Sequence, residues 1–374
     1  VLSLTRKNNT AAVVGLDVEA GSIAAAELRQ NGAVELVNAA VDPLGPGAFH
    51  EGEVGDPDLL AEALKDFFSR HKLAKRVRLG VGNQRVVVRT VRLPAIEDPK
   101  QLDAAVRFQA QEQIPMPLDQ AVLEHQVVGG VPAEEGQSPQ IDVIVVAARR
   151  EMVSALIKPL RQAGLEPVGV DLSAFGMIRA LADVGATAPA AAEPAAAGEE
   201  AAQAVAAPAA DGAVLYCNVG DTMNLAVARG RSCLFTRTST VGVEAISGRL
   251  ASERGLSGEH ASQWLAHVGL EGELEQIEGD PEIVLAARQA LEEGISGLVD
   301  ELRLSLDYYG AQESAVPVSR VVLAGPGSAI EGLGERMQAG LGLPISVARP
   351  AALGAYDDGA AARLTLPYGI ALES

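Results

Sequence analysis

The chain has 374 residues with 30 basic and 49 acidic side chains, a formal charge of −19; that length exceeds one compact core, and that charge opposes phosphate backbones and anionic headgroups. No nucleic-acid binding and no direct membrane insertion are therefore expected, and the strongest apolar run, Val143–Ala148, falls far short of the roughly 20 residues a membrane helix needs. VLSLTRKNNT has no apolar core of the kind that marks a signal peptide, so the expected compartment is the cytoplasm.

The opening residues alternate as strands over 12–18, 22–29 and 33–41, with Asn31-Gly32 as a hairpin signal between the last two. Asp56 then precedes Pro57, and Leu60, Leu64, Phe67 and Phe68 recur at helical spacing. Residues 77–82 and 85–93 return to strand, and the β-β-β-α-β order predicts a mixed sheet covered by helices. A helix over 98–114 stops at the prolines of IPMPL. Strands over 121–129 and 141–149, an amphipathic helix ended by Gly164 and the strand PVGVDL follow. This is a small α+β subdomain, inserted at about 94–167 in a first domain of 1–185 if PVGVDL rejoins the opening sheet.

Residues 186–212 are an Ala/Pro/Glu run with almost no large apolar side chain; such a segment cannot offset its ordering entropy and reads as a linker. After it, VLYCNVG, NLAVARG and CLFTRT repeat the strand, turn, strand, turn, strand series of the opening and begin a second domain, 213–374. The turn Gly220–Thr222 offers backbone N–H groups and a hydroxyl that could hold a phosphate. A helical subdomain is expected over about 243–300, its last part belonging to one long helix in which Leu298, Leu302 and Tyr309 share a face. RVVLAGPGSAIEGL then reads as strand, glycine-rich turn and helix. Cys217 and Cys233 form no CxxC and read as buried free thiols. The five histidines are scattered, read as solvated surface residues, and offer no metal motif.

In order along the chain, DVEAGSIAAAEL, IPMPLDQAVLEHQVVG, VAARREMV, AGLEPVGVDLSAF, NVGDTMNL, ELRLSLDYY, LAGPGSAIEGL and the closing YGIAL resemble segments of the type IV pilus assembly protein PilM family, a relative of the cell-division protein FtsA. The resemblance implies the duplicated actin/Hsp70-like fold: two α/β domains, an α+β subdomain inserted in the first, a helical subdomain in the second, and a C-terminal end that returns to the first domain. It also implies a nucleotide cleft built from Asp17 and Ser22 in the first turn, Asn218, Gly220 and Thr222 in the second, Gly242 and Glu244 after the hairpin series, and Gly325, Gly327 and Ser328 downstream.

Against that pattern, Glu19 stands at a glycine position, Ala24 at a lysine, Asn218 at an aspartate and Asp221 at a small residue, while Pro326 interrupts the glycine run and Val243 a glycine pair. Negative charge is added and a positive charge lost beside a tetra-anion; at about 1 kcal/mol for each unfavourable contact after screening, the sum turns micromolar binding into millimolar. The expectation is a degenerate site: ATP or ADP with Mg²⁺ bound weakly or not at all, no catalytic residue, no resident metal.

The family's partner is the N-terminal cytoplasmic tail of a bitopic inner-membrane protein, PilN, held between the first domain and its insertion. Ile114, Met116 and Leu118 either shape that groove or belong to the subdomain core. The expected protein is a cytoplasmic scaffold, peripheral to the inner membrane through its partner and relaying signals toward pilus motor ATPases. Two alternatives stand beside it. One is a slow ATPase or small-molecule kinase, for which Asp17 is the one good candidate base. The other is an FtsA-like polymerising protein, which usually ends in a basic amphipathic helix unlike LPYGIALES.

Overall fold

The computed structural model describes residues 12–131, 138–185, 212–312 and 315–373. It opens on an antiparallel meander of β1 (Val13–Glu19), β2 (Ser22–Asn31) and β3 (Ala33–Pro43). Glu19 lies opposite Ser22 across a two-residue turn, and Gly32, at φ 81°, reverses the chain between β2 and β3 in a conformation that glycine adopts without a Cβ penalty. A short hairpin of β4 (Phe49–His50) and β5 (Glu53–Val54) leads into α1 (Pro57–His71). The Asp56 carboxylate caps α1 by accepting the N–H groups of Asp58 and Leu59, and the helix buries Leu60, Leu64, Phe67 and Phe68. β6 (Arg76–Val81) then pairs parallel with β1.

The chain next leaves this sheet. β7 (Val87–Pro94), α2 (Pro99–Gln113), β8 (Ala121–Val131), β9 (Gln140–Arg149) and α3 (Arg150–Gln162) follow. Their strands form a separate antiparallel sheet, order β7-β9-β8, over a core that includes Val91, Val106, Ala110, Val143 and Val145. β7 starts two residues later than the alternation predicts, because the Asn83 side chain captures the Arg85 N–H at 2.7 Å and holds a turn there. β10 (Glu166–Leu172) returns beside β6, giving the order β10-β6-β1-β2-β3, and α4 (Ser173–Gly185) follows. The linker expected at 186–212 lies, apart from Gly212, outside the described residues.

The second sheet repeats the first. β11 (Ala213–Val219), β12 (Met223–Arg229) and β13 (Ser232–Ser239) form the meander. α5 (Val243–Arg254), α6 (Gly258–Val268) and the 30-residue α7 (Pro281–Gly310) cover it. β14 (Val318–Ala324), α8 (Leu333–Leu341) and β15 (Ile345–Val347) complete it. Its order, β13-β12-β11-β14-β15, matches β3-β2-β1-β6-β10 strand for strand, including the switch from antiparallel to parallel pairing. α7 carries Leu291, Ile295, Leu298, Leu302 and Tyr309 into the core. The Tyr309 hydroxyl fixes its end, accepting the Val316 N–H at 2.9 Å and donating to the Val316 carbonyl at 3.1 Å.

The last helix, α9 (Asp358–Ala371), packs back on β1, β2, β3 and α4. The approach is close because glycines make it so. A Cβ on Gly15 would run into the Pro367 carbonyl, and one on Gly369 into the Gly176 carbonyl. Arg78 of β6 then donates to the carbonyls of Ile370 (3.1 Å) and Leu372 (2.7 Å), acceptors that the helix end leaves without an internal partner. A shared core of Met177, Leu181, Tyr216, Ala226, Val322 and Ile370 joins the two halves.

Cys217 and Cys233 are buried and free, with β12 between their strands, and burial pushes both thiols up to about 12. The histidines do not all point to solvent. The His71 side chain is 29 % exposed with its Nε2 2.9 Å from an Asp42 carboxylate oxygen, a pairing between α1 and β3 that local spacing could not reveal.

Candidate functional site

The turns after β1 and β11 meet tip to tip. Glu19 Oε1 accepts the Asp221 N–H at 3.3 Å, and Asp221 Oδ2 accepts the Gly21 N–H at 3.1 Å, across 200 residues of chain. Each turn's carboxylate therefore takes a backbone amide of the other. Between them is a cavity of about 20 Å³ lined by Asp17, Glu19, Asp221, Thr222 and Asn224 among others. It has room for about one water, where drug-sized ligand pockets run to at least about 300 Å³.

Among the described residues one cation faces these acids. Arg363 of α9 places Nη1 2.7 Å from Ser22 Oγ and 3.4 Å from Glu19 Oε2. Arg363, brought in from 344 residues along the chain, offsets in part the positive charge absent at Ala24. Burial, then the charge of Asp221, pushes the Asp17 carboxyl up to about 7, with Arg363 opposing. Burial, then Asp221 and Asp17, likewise raise Glu19 well above the usual carboxylate range, while Arg363 and the Asp221 amide pull the other way.

The remaining predicted residues fall into three groups. Gly220 and Gly242 build the second turn: the Val243 N–H donates to the Gly220 carbonyl at 2.8 Å, and a Cβ on Gly242 would run into the Asp221 carbonyl. Gly325 (φ 83°) begins the adjoining turn, which the Ser328 hydroxyl closes by donating to the Gly325 carbonyl at 2.7 Å, and Gly327 lies against Val219 with no space for a side chain. Asn218 sits beneath this turn. It is 1 % exposed, a Cβ on Gly325 would lie 2.6 Å from its Oδ1, and its Nδ2 has no hydrogen-bond partner among the described residues. Glu244, in the first turn of α5, lies outside the tip contact, 3.4 Å from His50 Nδ1; burial first, then the charge of Asp221, raises its carboxyl. The structure thus brings together Asp17, Ser22, Gly220, Thr222 and Gly242, while Asn218 lies between the second turn and the neighbouring glycine turn, a Cβ on Gly220 falling 3.3 Å from its Nδ2. Sequence reading flagged Glu19 and Asp221 only as departures, and it missed Arg363, whose one local signal is that it is the lone basic residue of α9.

A second concavity lies where the inserted sheet meets the first. This groove, about 640 Å³, is lined by Val54, Arg85, Met116, Arg149, Met152 and Leu156 among others. Of the three residues expected there, Met116 lines it. Ile114 is 5 % exposed in the core of the inserted sheet, and Leu118 packs on the same core. The IPMPL segment therefore gives Met116 to this groove, and Ile114 and Leu118 to the core of the inserted sheet. Among the described residues no three His, Cys, Asp or Glu side chains group closely enough to hold a metal ion.

The family model described as type IV pilus assembly protein PilM matches residues 15–364. The chain belongs to the PilM family. A chain of the solved PilM-PilN type IV pilus biogenesis complex is 25 % identical, with 97 % of this chain and 98 % of that one covered and a TM-score of 0.75. The ethanolamine utilization protein EutJ from Carboxydothermus hydrogenoformans shares the fold at 14 % identity, 96 % and 89 % coverage and a TM-score of 0.51. The two matching sheets are thus the duplicated actin-like fold of a PilM protein of type IV pilus assembly. No helix of the described residues is long and apolar enough to cross a membrane.

Proposed function

We propose that this PilM-family protein is a non-catalytic cytoplasmic scaffold of a type IV pilus or related secretion machine. The observation that carries this reading is the mutual capture of Glu19 and Asp221. Amides that would face the phosphates of a nucleotide are already taken, and about 20 Å³ is left. The residues present fit a magnesium nucleotide poorly, since Asp17, Glu19 and Asp221 face one Arg363 and Asn218 carries no charge. A kinase would need Asp17 aimed at a substrate hydroxyl, and the cavity beside it has no room for one.

The partner is the N-terminal cytoplasmic tail of a PilN-like bitopic protein, bound in the groove beside Met116 and tethering the scaffold to the inner membrane; relay toward motor ATPases follows from that position. Two things support it: the solved relative is a PilM-PilN complex, and the groove offers apolar Met116, Met152 and Leu156 beside charged Arg149 and Glu151, a mix suited to an extended peptide. The test is calorimetry of the folded protein with a synthetic peptide of the N-terminal tail of the PilN-like protein from the same organism. Saturable heat is expected, and its absence would overturn the partner assignment.

A further inference from the structure

We propose that Glu19 and Asp221 are a built-in latch that holds the cleft closed without a ligand, with Arg363 keeping Glu19 in place. This inference rests on the reading that the cleft is not a working nucleotide site. A ligand that bridges two halves of a protein favours the closed form by contacting both at once. Here both bridging groups belong to the chain. Glu19 leaves the end of β1 and reaches the second turn, and Asp221 leaves the second turn and reaches the first. The contacts are backbone N–H groups donating to carboxyl oxygens at 3.3 and 3.1 Å, and they form within one molecule, where the effective concentration of the partner is high.

The fit around Glu19 is specific. A Cβ on Gly220 would run into Glu19 Oε1, so the glycine at the tip makes room for the protein's own carboxylate. On its other side Glu19 Oε2 faces Arg363 of α9, which also holds Ser22 Oγ. The glycine contacts of Gly15 with Pro367 and of Gly369 with Gly176 fix α9 on the first half, so Arg363 approaches Glu19 from a rigid support. Other charged groups face the latch: Asp17 from β1, Glu51 from the hairpin before α1, and Glu244 of α5 with its partner His50. Their repulsion works against closure, and Arg363 is the cation that counters it at Glu19.

The test is a pulsed electron-resonance distance measurement on the full chain. Spin labels are placed at Lys65→Cys in α1 and Glu259→Cys in α6, both exposed, while Cys217 and Cys233 are buried at 0 % and 5 % exposure and do not label. Without nucleotide the latched protein should give one narrow distribution, unchanged by millimolar Mg-ATP. Glu19→Ala with Asp221→Ala should broaden it and lengthen the mean, while Glu19→Gln with Asp221→Asn, which keep acceptor oxygens, should stay close to the parent. If the double alanine variant does not fold, Asp221→Ala alone breaks one tie and is read the same way. A double alanine distribution as narrow and short as the parent's overturns the latch and leaves the proposed function standing. A parent distribution that shifts with micromolar Mg-ATP overturns the reading of an unused cleft instead.

Discussion

Arg363 in the last helix lies 3.4 Å from Glu19 Oε2 in the first turn, 344 residues away in the chain. The end of the chain thereby sets the charge balance at its beginning. Replacing Arg363 with Ala leaves Glu19 and Asp17 without their cation, and because Arg363 is 32 % exposed the expected loss at pH 7.5 is about 1–2 kcal/mol. Urea melts should show that loss shrinking toward pH 5, as Asp17, pushed up to about 7, takes up its proton and the arginine has less to pair with.

Asp17 gives a separate pH dependence. Burial and Asp221 push its carboxyl from the ordinary 3.8 up to about 7 in the folded protein, so the folded state binds the extra proton between those values. The associated stability is present below pH 3.8 and is lost as pH rises through 7. Asp17→Asn removes this penalty: it should be more stable than the parent at pH 8 by about 2 kcal/mol, allowing for its partial exposure, with the gap closing toward pH 4. Thermal or urea melts across that range check it.

The crossing of α9 over α4 depends on having no side chain at Gly369. Gly369→Ala places a methyl group against the Gly176 carbonyl, and overpacking of this kind costs about 1–3 kcal/mol or more. Gly164→Ala, a control with nothing near its Cβ but a φ of +77°, tests backbone strain without a clash and should cost about 1 kcal/mol. Chemical denaturation of both variants separates the two causes.

Met116 and Ile114 should part company on mutation. Met116→Asp puts a charge on the groove wall and should weaken binding of the PilN-like tail peptide tenfold or more, at a smaller cost in stability than Ile114→Ala because Met116 is only half-buried against the same core. Ile114→Ala, in the core of the inserted sheet, should cost about 2–4 kcal/mol of stability. Calorimetry and melts on the same two samples read both effects.

The features legible in the sequence were those with a local cause. The repeated meanders, the Asn31-Gly32 reversal and the Asp56 cap each depend on residues within a few positions of one another, so pattern alone places them. The start of β7 slipped because Asn83 spends its side chain on the Arg85 amide, a competition that alternation does not encode. The IPMPL segment has no period to read, so nothing in its spacing says that Ile114 turns inward and Met116 toward the groove. At the cleft, the residue changes were visible but their partners were not: Glu19 and Asp221 looked like losses, and only the fold shows each occupying an amide of the other turn. Asn218 stands at an aspartate position of the cleft, yet it is buried beneath the Gly325 turn, its Nδ2 without a hydrogen-bond partner among the described residues.

Titration of the folded wild-type protein with Mg-ATP, followed by calorimetry at pH 7.5, tests the central claim most directly. A cleft occupied by Glu19 and Asp221 predicts no saturable heat below the millimolar range. Saturable micromolar binding would contradict it.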